Sequence, residues 1–292
     1  MRILIAGVTG YLGKRLAEKF MLFMGGGGIN TILLLVRDKN RLSENLQCGN
    51  NISICEIYGE SLEKRIKEFS PDVVYCTTCC YETDSEYLLK TIDANYVFPS
   101  QILRIIAGLK IKPVRFISVG TSLPPSLNLY SLTKKQFAEL GIFFHKKAKI
   151  NFFNLLLESF YGIDEPKQRF ITRSILQLKS NQDLLLTEGT QKRDYIFIDD
   201  VVEIMYFLSS CVINRDICDI PVGTGIAPAI KEIIEFLYRE TGSKSNLRFG
   251  AIEKREHEPS TVANIAILRQ LGYSNPLIHW QHGMRKLVEA LK

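Results

Sequence analysis

Tyr130 and Lys134 stand four residues apart at the head of a stretch continuing through Lys135, Phe137 and Leu140, a spacing that puts both side chains on one helix face. A lysine cation beside a phenol favours the phenolate and draws its pKa down from about 10 toward working pH. Such a phenol is a usable proton donor for a carbonyl oxygen. Of the 12 tyrosines, Tyr130 alone has a lysine four residues on. In a chain with 37 lysines and arginines an ordinary exposed helix pair would look the same, so the pair carries chemistry only beside a cofactor-binding element.

That element stands at the N-terminus. Ile3, Leu4, Ile5 and Ala6 predict a short buried strand, followed by Gly7, Gly10 and Gly13 and then a helix. Gly7 can make the tight turn, Gly10 lets the backbone approach a pyrophosphate, and Gly13 lets the helix pack on the strand. The helix N-terminus then meets the phosphate charge. The first glycine interval is one residue longer than the standard dinucleotide fingerprint. Thr9, Tyr11 and Leu12 within this turn, with Thr77 after a later strand, are expected to line the same cofactor.

The second strand, Ile32 to Val36, is followed by Arg37 and Asp38. An acidic residue there selects NAD and a nearby arginine accommodates the 2′-phosphate of NADP. Arg37 occupies the first polar position, so NADP(H) is the expected cofactor; Asp38 is the alternative reader, which would favour NAD(H).

The elements that must position these residues follow an alternating pattern. Strand-like runs Ile3 to Ala6, Ile32 to Val36, Ser53 to Ile57, Val73 to Cys76, Val114 to Val119 and Asn151 to Leu157 are separated by amphipathic stretches, including a long helix from Tyr87 past Leu103. This predicts an α/β fold: a doubly wound, parallel Rossmann-type sheet covered by helices. The cofactor-binding core is expected over 1–162, with a further strand near 218–222. A smaller, interleaved substrate lobe over 163–292 carries helices around 170–178, 230–238 and 265–271. The glycine run Gly25 to Gly28 is expected to end the first helix.

With 292 residues, 46% of them hydrophobic, the chain can bury a full core. No apolar run approaches the roughly 20 residues needed to cross a bilayer, and Met1 leads straight into a core strand, so a cytoplasmic protein without membrane contact is expected. Seven cysteines, odd in number and scattered, argue for reduced thiols. Cys76, Cys79 and Cys80 lack a second ligand pair, so no metal is expected. The formal charge of +6 suits an anionic small substrate, and its dispersion along the chain argues against nucleic acid.

Further segments carry a resemblance. Arg115 to Pro125 (RFISVGTSLPP), followed by Tyr130 to Lys134 (YSLTK), Asn154 to Gly162 (NLLLESFYG), Thr187 to Val202 (TEGTQKRDYIFIDDVV) and Arg255 to Glu258, is similar to the nucleotide-sugar branch of the extended short-chain dehydrogenases/reductases. Within that branch the chain most resembles the CDP-paratose and CDP-abequose synthases, over almost its whole length. The resemblance implies that Arg193 and Arg255 hold the diphosphate of a nucleotide sugar, a task for which guanidinium forks suit phosphate oxygens better than ammonium does. It also implies a hydroxyl beside the catalytic tyrosine. Thr121 is the expected one, with Ser118 as the alternative if the turn is shifted. Lys134 would hold the ribose, and Tyr81 and Glu158 are expected to line the sugar.

Dehydratases of the branch carry an Asp-Glu pair just after that hydroxyl, and none follows Ser118 or Thr121. The expected activity is therefore NADPH-dependent reduction of a CDP-linked 4-keto-deoxy sugar, making a donor for surface polysaccharide (O-antigen), by a homodimer as in relatives. The alternatives are a nucleotide-sugar 4-epimerase with bound NAD and a non-catalytic NADP-binding regulator.

Overall fold

The computed structural model describes residues 1–23, 31–47, 49, 51–58, 61–81, 85–109, 113–147, 150–212, 216–253 and 259–291. Gly25 to Gly28 and Arg255 lie outside the described residues.

Six strands run in chain order through the first part of the chain: β1 (Arg2–Ala6), β2 (Thr31–Val36), β3 (Ile52–Glu56), β4 (Val73–Cys76), β5 (Val114–Val119) and β6 (Ile150–Leu157). Together with Asp219–Val222 they form one seven-stranded sheet in which the order is Asp219–Val222, β6, β5, β4, β1, β2, β3. The registers from β1 to β6 are parallel, Ile5 lying beside Leu34 on one side and Tyr75 on the other. Chain order reverses between β1 and β4, and the carboxyl ends of strands at such a switch point are where open α/β sheets bind ligands.

The composition of the strands explains their place. β1 and β2 are near-continuous runs of Ile, Leu and Val, and β4 is Val-Val-Tyr-Cys, all with almost no exposure, as parallel strands covered on both faces must be. β3, at the sheet edge, is less buried and carries polar Ser53 outward. The helix Tyr11–Leu22 packs Leu16, Ala17 and Phe20 inward. The stretch Leu88–Ala107 is helical throughout, with a wider turn of π-helix over Asp93–Val97.

The chain divides into two compact units, one of residues 1–156 and 202–220, the other of 157–201 and 221–292. The second unit contains two parallel strand pairs, Ser159–Tyr161 with Tyr195–Phe197 and Leu184–Leu186 with Leu247–Phe249. Helix Phe170–Lys179 packs on Leu184–Leu186 and on Ile230–Thr241, and Trp280–Ala290 packs on Tyr195–Phe197 and on Ile230–Thr241. The Tyr161 hydroxyl donates to the Trp280 carbonyl at 2.9 Å. Sequence patterning misses these strands because three residues are too few for a period of two to show. Among the described residues, no helix is long and apolar enough to cross a membrane.

Candidate active site

In the first unit the glycine turn after β1 packs closely against Thr77 at the end of β4. Gly7 adopts a left-handed φ of 89°, and a Cβ there would lie 2.7 Å from the Thr77 backbone and Oγ1. A Cβ at Gly13 would come within 2.3 Å of the Gly7 carbonyl oxygen, so the helix can sit this close to the turn only with glycine. At Gly10 the same atom would meet the Gly7 oxygen alone, at 3.3 Å, leaving that face of the turn open. Thr77 donates its hydroxyl to the Ala6 carbonyl at 2.9 Å, tying the two strand ends together. Gly10 caps the helix without a side-chain acceptor, Thr9 and Tyr11 are half-buried, and Leu12 is packed inward. Backbone N–H groups at an open helix N-terminus suit an anionic diphosphate.

Beyond β2, Arg37 is exposed. The neighbouring Asp38 carboxylate accepts the Asn40 N–H at 2.9 Å, and the Lys39 N–H reaches Glu56 Oε1 at 3.1 Å. One oxygen of the alternative reader is thereby engaged with its own loop.

The helix Leu129–Lys147 presents Tyr130 and Lys134 from its first two turns. Its start is set by a reciprocal cap: Ser131 N–H donates to Asn128 Oδ1 at 2.9 Å, and Asn128 N–H to Ser131 Oγ at 3.3 Å. Lys134 is buried, 5% exposed, and its ammonium donates to the carbonyls of Thr78 at 2.7 Å and Val119 at 2.8 Å. It therefore stitches the exits of β4 and β5 to the helix. Tyr130 is half-buried, and its ring packs on that of exposed Tyr81, centroids 4.7 Å apart.

Thr121 follows β5 and is half-buried; its Oγ1 accepts the Leu123 N–H at 3.2 Å, an arrangement that leaves the hydroxyl proton available to a ligand. Ser118 lies within β5, 2% exposed, opposite Cys76 and Asn154.

One residue that motif reading passes over joins these parts. Asn95, 1% exposed in the π turn, accepts the Cys80 N–H at 2.9 Å and donates to the Cys80 carbonyl at 2.9 Å and to Thr133 Oγ1 at 3.2 Å. The loop carrying Tyr81 is thus locked to the turn carrying Tyr130. The signal available in the sequence was polar Thr91 and Asn95 in line with Pro99 and Ile102 on one helical face.

In the second unit, Arg193 is 8% exposed and its guanidinium donates to the Pro259 carbonyl and, at 3.3 Å, to that of Lys192. The adjacent Asp194, fully buried, accepts the N–H groups of Thr224 (2.9 Å) and Gly225 (2.8 Å), the Thr224 hydroxyl (2.6 Å) and the Ala263 N–H (3.2 Å). A Cβ at Gly223 would collide with this carboxylate at 2.5 Å. Asp194 therefore anchors the segment that carries Arg193. Glu158 is 5% exposed, its backbone N–H donating to the Val222 carbonyl at 2.9 Å.

A doubly wound parallel sheet with a glycine turn after its first strand and a Tyr-Lys pair on the helix after its fifth defines a short-chain dehydrogenase of Rossmann architecture. The chain belongs to the NAD dependent epimerase/dehydratase family, whose model matches residues 3–214. This is the nucleotide-sugar branch of the extended short-chain dehydrogenases. The chain is 32% identical to a CDP-abequose synthase of Salmonella muenchen over 188 residues, 62% of this chain and 64% of that protein. It is 27% identical to the CDP-abequose synthase of Salmonella typhimurium across 99% of this chain and 98% of that protein. Among solved structures, UDP-glucuronic acid 4-epimerase from Bacillus cereus, in complex with UDP-glucuronic acid and NAD, has the same fold. Its TM-score is 0.85 at 20% identity, covering 100% of this chain and 99% of that one.

Proposed function

We propose that the protein is an NADPH-dependent 4-ketoreductase of a CDP-linked 4-keto-deoxy sugar, making a deoxysugar donor for surface polysaccharide. The observation that carries this reading is the pairing of half-buried Tyr130 with Lys134 on one helix in a chain whose curated relatives include CDP-abequose synthases. The missing acidic pair after Thr121 speaks against dehydration, and the exposed guanidinium of Arg37 supports a 2′-phosphate.

The open face at Gly10 and the left-handed turn at Gly7 fit a dinucleotide diphosphate, with Thr9, Tyr11, Leu12, Gly13, Thr77 and Arg37 around it. NADPH, when bound, supplies the hydride for the C4 carbonyl carbon. Tyr130 donates the proton to the carbonyl oxygen as its bond order falls, and Thr121 orients that oxygen by hydrogen bonding. Lys134, anchored through the Thr78 and Val119 carbonyls four residues on from Tyr130 on the same helix, would hold the ribose and favour release of the phenol proton. Arg193 and Arg255 bind the diphosphate, Tyr81 and Glu158 the sugar, so binding energy remote from C4 supports the chemical step.

The test follows NADPH absorbance with a CDP-4-keto-3,6-dideoxy sugar and assigns the product configuration by NMR; failure to consume NADPH would refute the reductase. Arg37→Ser should weaken NADPH at least tenfold while leaving NADH nearly unchanged, since it removes a charge-assisted pair with the phosphate, worth about 1.5–3 kcal/mol. Equal or tighter NADH binding by the unaltered protein would overturn the Arg37 assignment.

A second reading, a nucleotide-sugar 4-epimerase, is favoured by one finding: the Bacillus cereus epimerase complexed with NAD shares this fold. Tightly held NAD on purification, with C4 inversion and no net consumption of NADPH, would select it.

A further inference from the structure

Gln191 stands two residues before Arg193 and is 8% exposed. Its Nε2 reaches Thr187 Oγ1 at 3.4 Å, and its backbone carbonyl accepts the Ile230 N–H at 3.0 Å. Its side-chain oxygen Oε1 is buried and has no hydrogen-bond partner among the described residues. A buried amide oxygen left unpaired is costly, and native structures keep few of them without a use.

The local backbone explains where this oxygen serves. Lys192 bridges to Ala229, Arg193 bridges to Thr261, and the Arg193 N–H donates to the Pro228 carbonyl, so the segment is extended there. Side chains two apart in extended backbone share a side, and the burial agrees: Gln191 and Arg193 are buried while Lys192 between them is exposed. The Gly189 carbonyl accepts the Lys231 N–H at 2.9 Å, fixing the other end of the segment on the first turn of Ile230–Thr241. The unpaired acceptor is therefore held on a rigid frame, on the same side as a guanidinium.

We infer that Gln191 Oε1 is a recognition atom for the nucleoside half of a nucleoside diphosphate sugar, accepting a hydrogen bond from a donor on that ligand. This rests on the reading of Arg193 as a diphosphate-binding residue. Two donors have the required chemistry: a ribose hydroxyl, and the 4-amino group of cytosine, where uracil presents an acceptor instead. An acceptor facing an acceptor is penalised, so a site built around Oε1 would discriminate between the two bases in the second case.

The experiment measures calorimetric affinity of the full-length protein for CDP, UDP and 2′-deoxy-CDP, before and after Gln191→Leu, with Arg193→Ala alongside. The ligand-free Gln191→Leu protein should melt at the same temperature as the unaltered one or higher, because it loses an unsatisfied polar atom, and should bind CDP about tenfold more weakly. A purely structural glutamine would give the opposite, a lower melting temperature with unaltered affinity. Loss of affinity for CDP alone identifies the 4-amino group as donor. Equal loss for CDP and UDP identifies a ribose hydroxyl, the 2′ one if 2′-deoxy-CDP is insensitive to the substitution. Gln191→Met, unbranched and of similar length, serves if the leucine variant does not fold. Unchanged CDP affinity in a folded variant overturns the inference while leaving the diphosphate reading intact. If the unaltered protein binds none of the nucleotides, or Arg193→Ala binds as well as it does, the reading beneath fails and the inference falls with it.

Discussion

The rings of Tyr81 and Tyr130 meet at 4.7 Å with their planes tilted by 54°, although the two residues come from the exit of β4 and from the helix after β5. Tilted aromatic pairs of this kind are worth about 0.5–1.5 kcal/mol. In this position the contact restricts how the phenol of Tyr130 can turn. Tyr130→Phe should lower turnover about 10²-fold or more with folding unchanged, as loss of a general acid does. Tyr81→Phe keeps the ring and should stay near full activity, whereas Tyr81→Ala should lose several-fold in kcat. Steady-state rates of the three variants decide this, and a fully active Tyr130→Phe would remove the tyrosine from the chemistry.

Lys134 is expected to matter for stability as well as for rate. Replacing it with Met leaves the Thr78 and Val119 carbonyls without their donor, at a cost of about 1–3 kcal/mol. Lys134→Arg should not restore either property, because a planar fork does not reproduce the compact ammonium between two carbonyls. Urea denaturation and turnover measured together test both halves of the statement.

Asn95 has the same double consequence through a different route. Asn95→Leu removes the partner of both backbone groups of Cys80 and should destabilise the protein by about 2 kcal/mol or more. Because Cys80 precedes Tyr81, kcat should fall together with stability, with the affinity for NADPH little changed. Equilibrium unfolding and a cofactor titration separate the two effects.

A pH effect is expected in the second unit. Burial pushes the Glu165 carboxyl above its ordinary value of 4.5, against the opposing Thr172 hydroxyl, which donates to it at 2.6 Å, and Arg169. With the folded pKa raised, the folded state binds the proton more tightly than the unfolded chain does. Stability is then greatest below about 4.5 as far as this group is concerned, and is lost as pH rises through the folded value. Glu165→Gln should remove that slope, so its stability relative to the unaltered protein should rise from pH 4 to pH 8 in chemical denaturation. A constant difference across that range would contradict the assignment.

Much of the architecture was legible from local pattern. The six strand-like runs emerged as β1 to β6 because strands of a parallel sheet carry short apolar-rich stretches between turns, most continuous in β1 and β2 and interrupted by Ser53 in the edge strand β3. The glycine turn and the Tyr-Lys pair were legible for a related reason: a positive φ at Gly7 and a shared helix face at i, i+4 are properties of a few consecutive residues. The short strands around Ser159 and Leu247, and the π turn that aims Asn95 inward, left no such trace. Their stability comes from partners far along the chain.

Local sequence by itself thus determined which residues form strands and helices, where the backbone must turn, and which side chains share a face. Only the tertiary structure decided that Lys134 bonds the ends of two different strands, that Asn95 clasps Cys80 and Thr133, and that Gln191, two residues before Arg193, keeps a buried oxygen without a partner among the described residues. The reason is physical. Burial and hydrogen-bond partners belong to groups brought together from segments distant in the chain, and local periodicity carries no information about which distant group will arrive.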